Sequence, residues 1–105
     1  NLEYAKQIGV DVDELYIAQP AYGEQAFEAI RALIGTQQFD LIIVDSVSAL
    51  TPKAVLEGEI GETKMAALAR MMSKGMTMIS APLSEVGCTI IFLNQMRETL
   101  AMYGL

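Results

Sequence analysis

Two short aliphatic runs in this sequence each end in small polar groups. Leu41-Ile42-Ile43-Val44 runs into Asp45-Ser46, and Thr89-Ile90-Ile91-Phe92-Leu93 runs into Asn94-Gln95. Runs this short, branched and continuous read as strands buried on both faces, the pattern of a parallel sheet. Open α/β sheets place their ligands beyond the carboxyl ends of such strands. If the two strands are parallel neighbours, a carboxylate, a hydroxyl and two amides share one sheet edge. A nucleotide γ-phosphate and its metal would lie there, with Asp45 holding a magnesium-bound water and Gln95 reporting on the phosphate through its amide. The plainer reading of each group alone is a strand end that caps the next turn or helix, and it stays open at this point.

The other polar constellations are less specific. Glu57-Gly58-Glu59-Ile60-Gly61-Glu62 gathers three acids and two glycines. It lacks the alternating ligand spacing of a calcium loop and reads as a solvated loop. Arg70 and Lys74 stand one helical turn apart and would face phosphates or simply solvent. Tyr4, Tyr16, Tyr22 and Tyr103 are scattered, so they define no stacking platform for single strands. The net charge of −6 argues against non-specific adhesion to nucleic acid, so any DNA contact must be local. There is no histidine, which excludes histidine-based catalysis and an ordinary zinc site. Cys88 is the single cysteine and reads as a buried small hydrophobe; no internal disulfide exists, and a reduced, cytoplasmic compartment follows.

These groups must be positioned by one domain or part of one, given 105 residues. A hydrophobic share of 52% suits a piece of a larger core better than a free-standing small protein. No uncharged apolar run approaches the roughly 18 residues of a membrane span. The first residues carry Glu3 and Lys6 without an apolar stretch, so no signal peptide is expected. The chain opens Asn-Leu-Glu-Tyr without an initiator Met, as if cut from something longer.

The spacing predicts a helix tail over Leu2–Ile8 closed by Gly9, then a polar connection. Leu15–Ala18 is a short strand candidate ended by Gln19-Pro20. Gly23–Ile34 predicts a helix with Ala26, Phe27, Ile30, Leu33 and Ile34 on one face, ended by Gly35. Thr51-Pro52 has the form of an N-cap with proline at the first position of a short helix. A long helix is expected from about Thr63 to Ile79. Its apolar stripe is Met65, Leu68, Met72, Met76 and Ile79, widened by Met71 and Met78. Thr63, Arg70, Lys74 and Thr77 fall on the opposite face, and Pro82 kinks or ends the helix. The methionines fit core positions, since flexible thioethers fill irregular gaps. Met96 to Leu105 has no clear period. Strand, helix, strand, helix, strand gives two crossovers and an α/β fold, a parallel sheet with flanking helices.

Several blocks together resemble bacterial RecA recombinases. They are Tyr4-Ala5, Ile8-Gly9-Val10-Asp11, Gln19-Pro20 and Gly23-Glu24-Gln25-Ala26. The run from Val44 through Asp45-Ser46-Val47-Ser48-Ala49-Leu50-Thr51-Pro52-Lys53 to Ala54 follows. Glu57-Gly58-Glu59-Ile60-Gly61, Ala69-Arg70-Met71-Met72-Ser73 and Asn94-Gln95-Met96-Arg97 complete the set. They cover nearly the whole chain, in order. The most specific is Asp-Ser-Val-x-Ala-Leu-Thr-Pro-Lys-Ala followed by Glu-Gly-Glu-Ile-Gly.

The resemblance implies a fragment of a RecA-like P-loop NTPase core, with residues 1–105 a partial ATPase core. It implies a parent that forms a helical filament by self-association on single-stranded DNA. Such a parent binds ATP and Mg²⁺ and exchanges strands with double-stranded DNA in recombination, repair and the damage (SOS) response. Carried over, Tyr4 would stack on the adenine, and Asp45 with Ser46 would be the Walker B end supporting Mg²⁺. Gln95 would sense the γ-phosphate. Glu57, Gly58, Glu59, Ile60 and Gly61 would belong to the first DNA loop. Met65, Arg70 and Ser73 would lie beside DNA phosphates, and Arg97 near the second DNA loop.

The family's phosphate loop, Gly-x-x-x-x-Gly-Lys-[Ser/Thr], does not occur in this sequence, nor does its catalytic glutamate. Thr77, Glu98 and Thr99 stand where the family usually has bases, and Pro82 is unusual within its long helix. The isolated chain is therefore expected to be inactive. The alternatives are a RecA-like hexameric helicase or motor ATPase, and, for the isolated chain, a non-catalytic filament-interaction module. The Glu-Gly-Glu-Ile-Gly loop favours the recombinase.

Overall fold

The computed structural model describes residues 1–58 and 63–94. Its elements run α1 (Leu2–Gln7), α2 (Gly23–Gly35), β1 (Leu41–Asp45), a 3-10 turn (Val47–Ala49), α3 (Lys53–Leu56), α4 (Lys64–Val86) and β2 (Thr89–Leu93).

The two aliphatic runs pair as expected. β1 and β2 are parallel, with Ile42 opposite Ile90, Val44 opposite Phe92 and Asp45 opposite Leu93. Parallel strands need a crossover, and α4 supplies it. The amide of Thr89 donates to the Asp40 carbonyl at 2.9 Å, which starts the register.

The expectation of burial on both faces holds for only one. Ile42, Val44, Ile90 and Phe92 face α2 and α4 and join a core of Ala26, Phe27, Ile30, Ile34, Leu50, Met71, Ile79 and Cys88. On the other face Leu41, Ile43, Ile91 and Leu93 are 49%, 56%, 44% and 43% exposed. A run apolar at every position calls for two covers, and the described residues provide one.

The candidate strand at Leu15–Ala18 does not form; Leu15, Tyr16 and Ile17 are exposed. An Asx turn precedes it: the Asp13 amide donates to the Asp11 carboxylate and the Glu14 amide to the Asp11 carbonyl. An edge contact between the Tyr16 and Phe39 rings, centroids 5.7 Å apart, ties the segment toward β1.

Helix ends follow local chemistry. The Asn1 side chain caps α1, and Gly9, at φ +103°, donates to the Lys6 carbonyl beyond its end. α2 runs one residue past the expected stop. Gly35 is still helical; Thr36 closes the helix, its hydroxyl donating to the Leu33 carbonyl at 2.7 Å. α3 is the short helix expected after Thr51, with Pro52 at its N-cap. Thr63 caps α4 by accepting from the Ala66 amide at 3.1 Å.

Pro82 does not end α4, which continues to Val86 and closes on Gly87 at φ +76°. The proline removes one donor to the Met78 carbonyl. Ile79 before it, with Leu83 and Val86 after it, packs on the core and carries the helix across the gap.

The expected stripe of α4 holds at Leu68, Met71, Met72, Met78 and Ile79, which lie in or against the core, and fails at Met65 and Met76. Ala67, Met71, Gly75 and Ile79 are buried, while Met65 is 80% and Met76 40% exposed. The reason is the contact with α2. Phe27, 1% exposed, lies flat against Gly75, where an added Cβ would overlap its ring. Glycines let the two helices approach, Gly75 receiving Phe27 and Gly23 of α2 receiving Met71.

Candidate nucleotide-binding strand edge

The parallel register brings Asp45 to the carboxyl end of β1 opposite Leu93, so Ser46 and Asn94 follow at the same sheet edge. Ser46 is extended, at φ −131° and ψ 168°, and opens the 3-10 turn; the Asp45–Ser46 peptide is cis. Two backbone bonds hold this turn, from the Ala49 amide to the Ser46 carbonyl and from the Leu50 amide to the Val47 carbonyl, both 3.0 Å. Neither Asp45 nor Ser46 caps it through a side chain.

The Asp45 carboxylate is exposed, and among the described residues no hydrogen bond or ion pair engages it. That separates it from an ordinary capping aspartate, whose oxygens are taken by backbone amides. The Ser46 hydroxyl meets the Ser48 hydroxyl at 2.7 Å. An open, mainly apolar cleft of about 270 Å³ adjoins this edge, lined by Pro20, Ile30, Ile42, Asp45, Ser46 and Leu50 among others.

Carboxylate and hydroxyl oxygens are hard donors, suited to Mg²⁺. Among the described residues no cluster of three or more His, Cys, Asp or Glu forms a metal cage. One carboxylate beside hydroxyls fits an ion that keeps most of its water and takes its other ligands from phosphates, the habit of Mg²⁺.

The remaining candidates divide. Tyr4, on α1, is 60% exposed. Glu57 and Gly58 are exposed where the chain leaves α3, with Gly58 at φ +69°. Met65, Arg70 and Ser73 lie exposed along the first half of α4. Lys74 does not simply extend that face; it lines a second cleft, about 240 Å³, with Glu24 and Glu28 of α2. Glu59, Ile60, Gly61, Gln95 and Arg97 lie outside the described residues.

Two features escaped the sequence. One is the Ser46–Ser48 pair. The other is a clasp across 29 positions, in which the Glu24 carboxylate accepts from the Lys53 amide at 2.9 Å. The Gly23 amide donates to the Thr51 carbonyl at 2.7 Å, and Lys53 Nζ stands 5.5 Å from the Tyr22 ring centroid. The signal for the clasp was an acid in the first turn of α2, which the sequence alone pairs with nothing.

The profile of the RecA N-terminal domain matches residues 1–104. The chain belongs to the RecA family. Among its relatives, Protein RecA of Staphylococcus carnosus is 46% identical over 102 residues, 96% of this chain and 29% of the relative. Protein RecA of Sulfurimonas denitrificans is 45% identical over 101 residues, 96% of this chain and 29% of the relative. Protein RecA of Fusobacterium nucleatum subsp. nucleatum is 48% identical over 102 residues, 96% of this chain and 27% of the relative. The chain thus spans less than a third of the RecA proteins it matches. The two-stranded parallel α/β unit fits a part of the RecA N-terminal domain. No helix among the described residues is long and apolar enough to cross a membrane.

Proposed function

We propose that residues 1–105 are the central part of a P-loop ATPase core whose parent is an ATP-dependent DNA recombinase. The parent assembles as a filament on single-stranded DNA and promotes strand exchange with homologous duplex. The observation that carries this reading is the Asp45 carboxylate: exposed at a parallel strand's carboxyl end, beside a hydroxyl, and engaged in no structural bond among the described residues. Family membership gives that placement its meaning.

In this reading Mg²⁺-ATP, when bound, supplies the phosphoryl chemistry. Asp45 accepts hydrogen bonds from metal-bound water and balances the metal's charge, and Ser46 orders the same shell. Tyr4 offers an exposed ring for the adenine. Gln95, one residue past Asn94, senses the γ-phosphate and passes its state to the second DNA loop near Met96 and Arg97. Residues 57–63 supply the first DNA loop. Met65, Arg70 and Ser73 extend from it along the DNA side, and the 80% exposure of Met65 supports that assignment, because a core methionine would be covered. The phosphate loop and catalytic base belong to the rest of the parent, so this chain alone is inactive.

The test is Asp45→Asn in the full-length parent, which keeps the shape and removes the charge. DNA-stimulated ATP turnover should fall by about 100-fold or more, with melting unchanged, as expected when a charged ligand of the metal shell is neutralised. Turnover within a few-fold of the parent's would make Asp45 a bystander and end the reading.

A further inference from the structure

We propose that Ser48 is a positioning residue for the strand-edge site: its hydroxyl fixes the orientation of the Ser46 hydroxyl toward the metal's water shell. This rests on the reading of Asp45 given above. In turns that follow strands, serine hydroxyls commonly bond nearby backbone amides or carbonyls. Here the two hydroxyls bond each other at 2.7 Å, and Ser46 makes no side-chain cap. The turn is closed without them by two backbone bonds. The pair is therefore not what holds the turn.

A lone serine hydroxyl rotates freely and presents its one proton and two lone pairs in any direction. Bonding to Ser48 removes that freedom. If Ser48 donates, the Ser46 proton is left for a phosphate oxygen. If Ser46 donates, both of its lone pairs are left to accept from metal-bound water. In either case one group at the edge beside Asp45 is aimed before the ligand arrives. Ser48 is exposed and Ser46 half-buried, so the bond adds little to folding, because water competes for it. Its effect is on the site.

The experiment measures the Mg²⁺ concentration that half-saturates binding of a fluorescent, non-hydrolysable ATP analogue to the full-length parent, followed by anisotropy. Ser48→Ala should raise that concentration about two- to ten-fold, the span of one neutral hydrogen bond, with no change in melting temperature. Ser48→Thr, which keeps a hydroxyl, should stay within about two-fold of the parent. Ser48→Ala should add nothing in a Ser46→Ala background, because its action passes through Ser46. An unchanged half-saturation in Ser48→Ala overturns the proposal. So does the same increment with and without Ser46, or a matching loss of melting temperature. Asp45→Asn is measured beside them. If it leaves the Mg²⁺ dependence unchanged, the strand-edge site itself is refuted, and the assignment of Ser48 falls with it.

Discussion

Gly75→Ala tests the helix contact that sets where α4, and with it Arg70 and Ser73, sits on the sheet. An added Cβ would overlap three carbons of the Phe27 ring. That ring cannot retreat easily: it is 1% exposed and stands 6.1 Å, centroid to centroid, from Phe92, tilted by 34°. Overpacking of this kind costs about 1–3 kcal/mol. Replacing glycine by alanine inside a helix returns about 0.5–1 kcal/mol. The net expectation is a loss of about 1 kcal/mol, and at most about 2.5 kcal/mol. Gly35→Ala is the internal control. Its Cβ meets nothing within 4 Å and its φ is not positive, so it should be neutral or stabilise. Urea unfolding of the 105-residue chain at low concentration, followed by far-ultraviolet circular dichroism, measures both. Phe27→Leu should cost less in the Gly75→Ala background than alone, since it removes the overlapping atoms. A Gly75→Ala chain as stable as its parent would refute the close approach of α2 and α4.

The chain alone should hydrolyse ATP no faster than buffer, with or without single-stranded DNA, because the phosphate-cradling amides, their lysine and the base do not occur in it; Mg²⁺-dependent phosphate release that co-purifies with the chain would contradict this. Arg70→Ala in the parent should weaken single-strand binding for all base sequences and lower the salt slope by about one unit, while Thr77→Arg does the reverse. Anisotropy against salt with an ATP analogue present reads both, and unchanged affinity and slope for Arg70→Ala would make that face mere solvated surface.

Much of the architecture was legible because strong local signals agreed with their surroundings. Continuous Ile and Val runs specified β1 and β2, and a clean 3.6-residue period specified the buried face of α2. The strand-edge placement of Asp45 and Ser46 followed from strand type alone. The α4 stripe was right at Leu68, Met71, Met72, Met78 and Ile79 but took Met65 and Met76 in place of Ala67 and Gly75, because hydropathy ranks the methionines higher. The contact, however, was decided by the size of Phe27, which needs a hollow to fill. Pro82 breaks an isolated helix, but here the core contacts of Ile79 and Leu83 override it. Leu15–Ala18 had strand-like residues but pairs with neither strand. The Ser46–Ser48 and Glu24–Lys53 bonds depend on side-chain direction after folding, which spacing does not encode.

The sheet has a consequence for how such a chain behaves in company. Among the described residues it has two strands only, so each has an outer edge of unpaired amides and carbonyls. Both strands are short, β-branched and nearly uncharged, and one apolar face lies open. Those are the ingredients of a cross-β nucleus: template edges, sticky faces, no proline in either strand and a single charge, Asp45, at the end of β1. Separated from whatever covers it in a longer protein, this segment would recruit copies of itself. The same aliphatic density that would make a dependable floor for the proposed nucleotide site makes the segment a hazard whenever it is uncovered, including during its own synthesis.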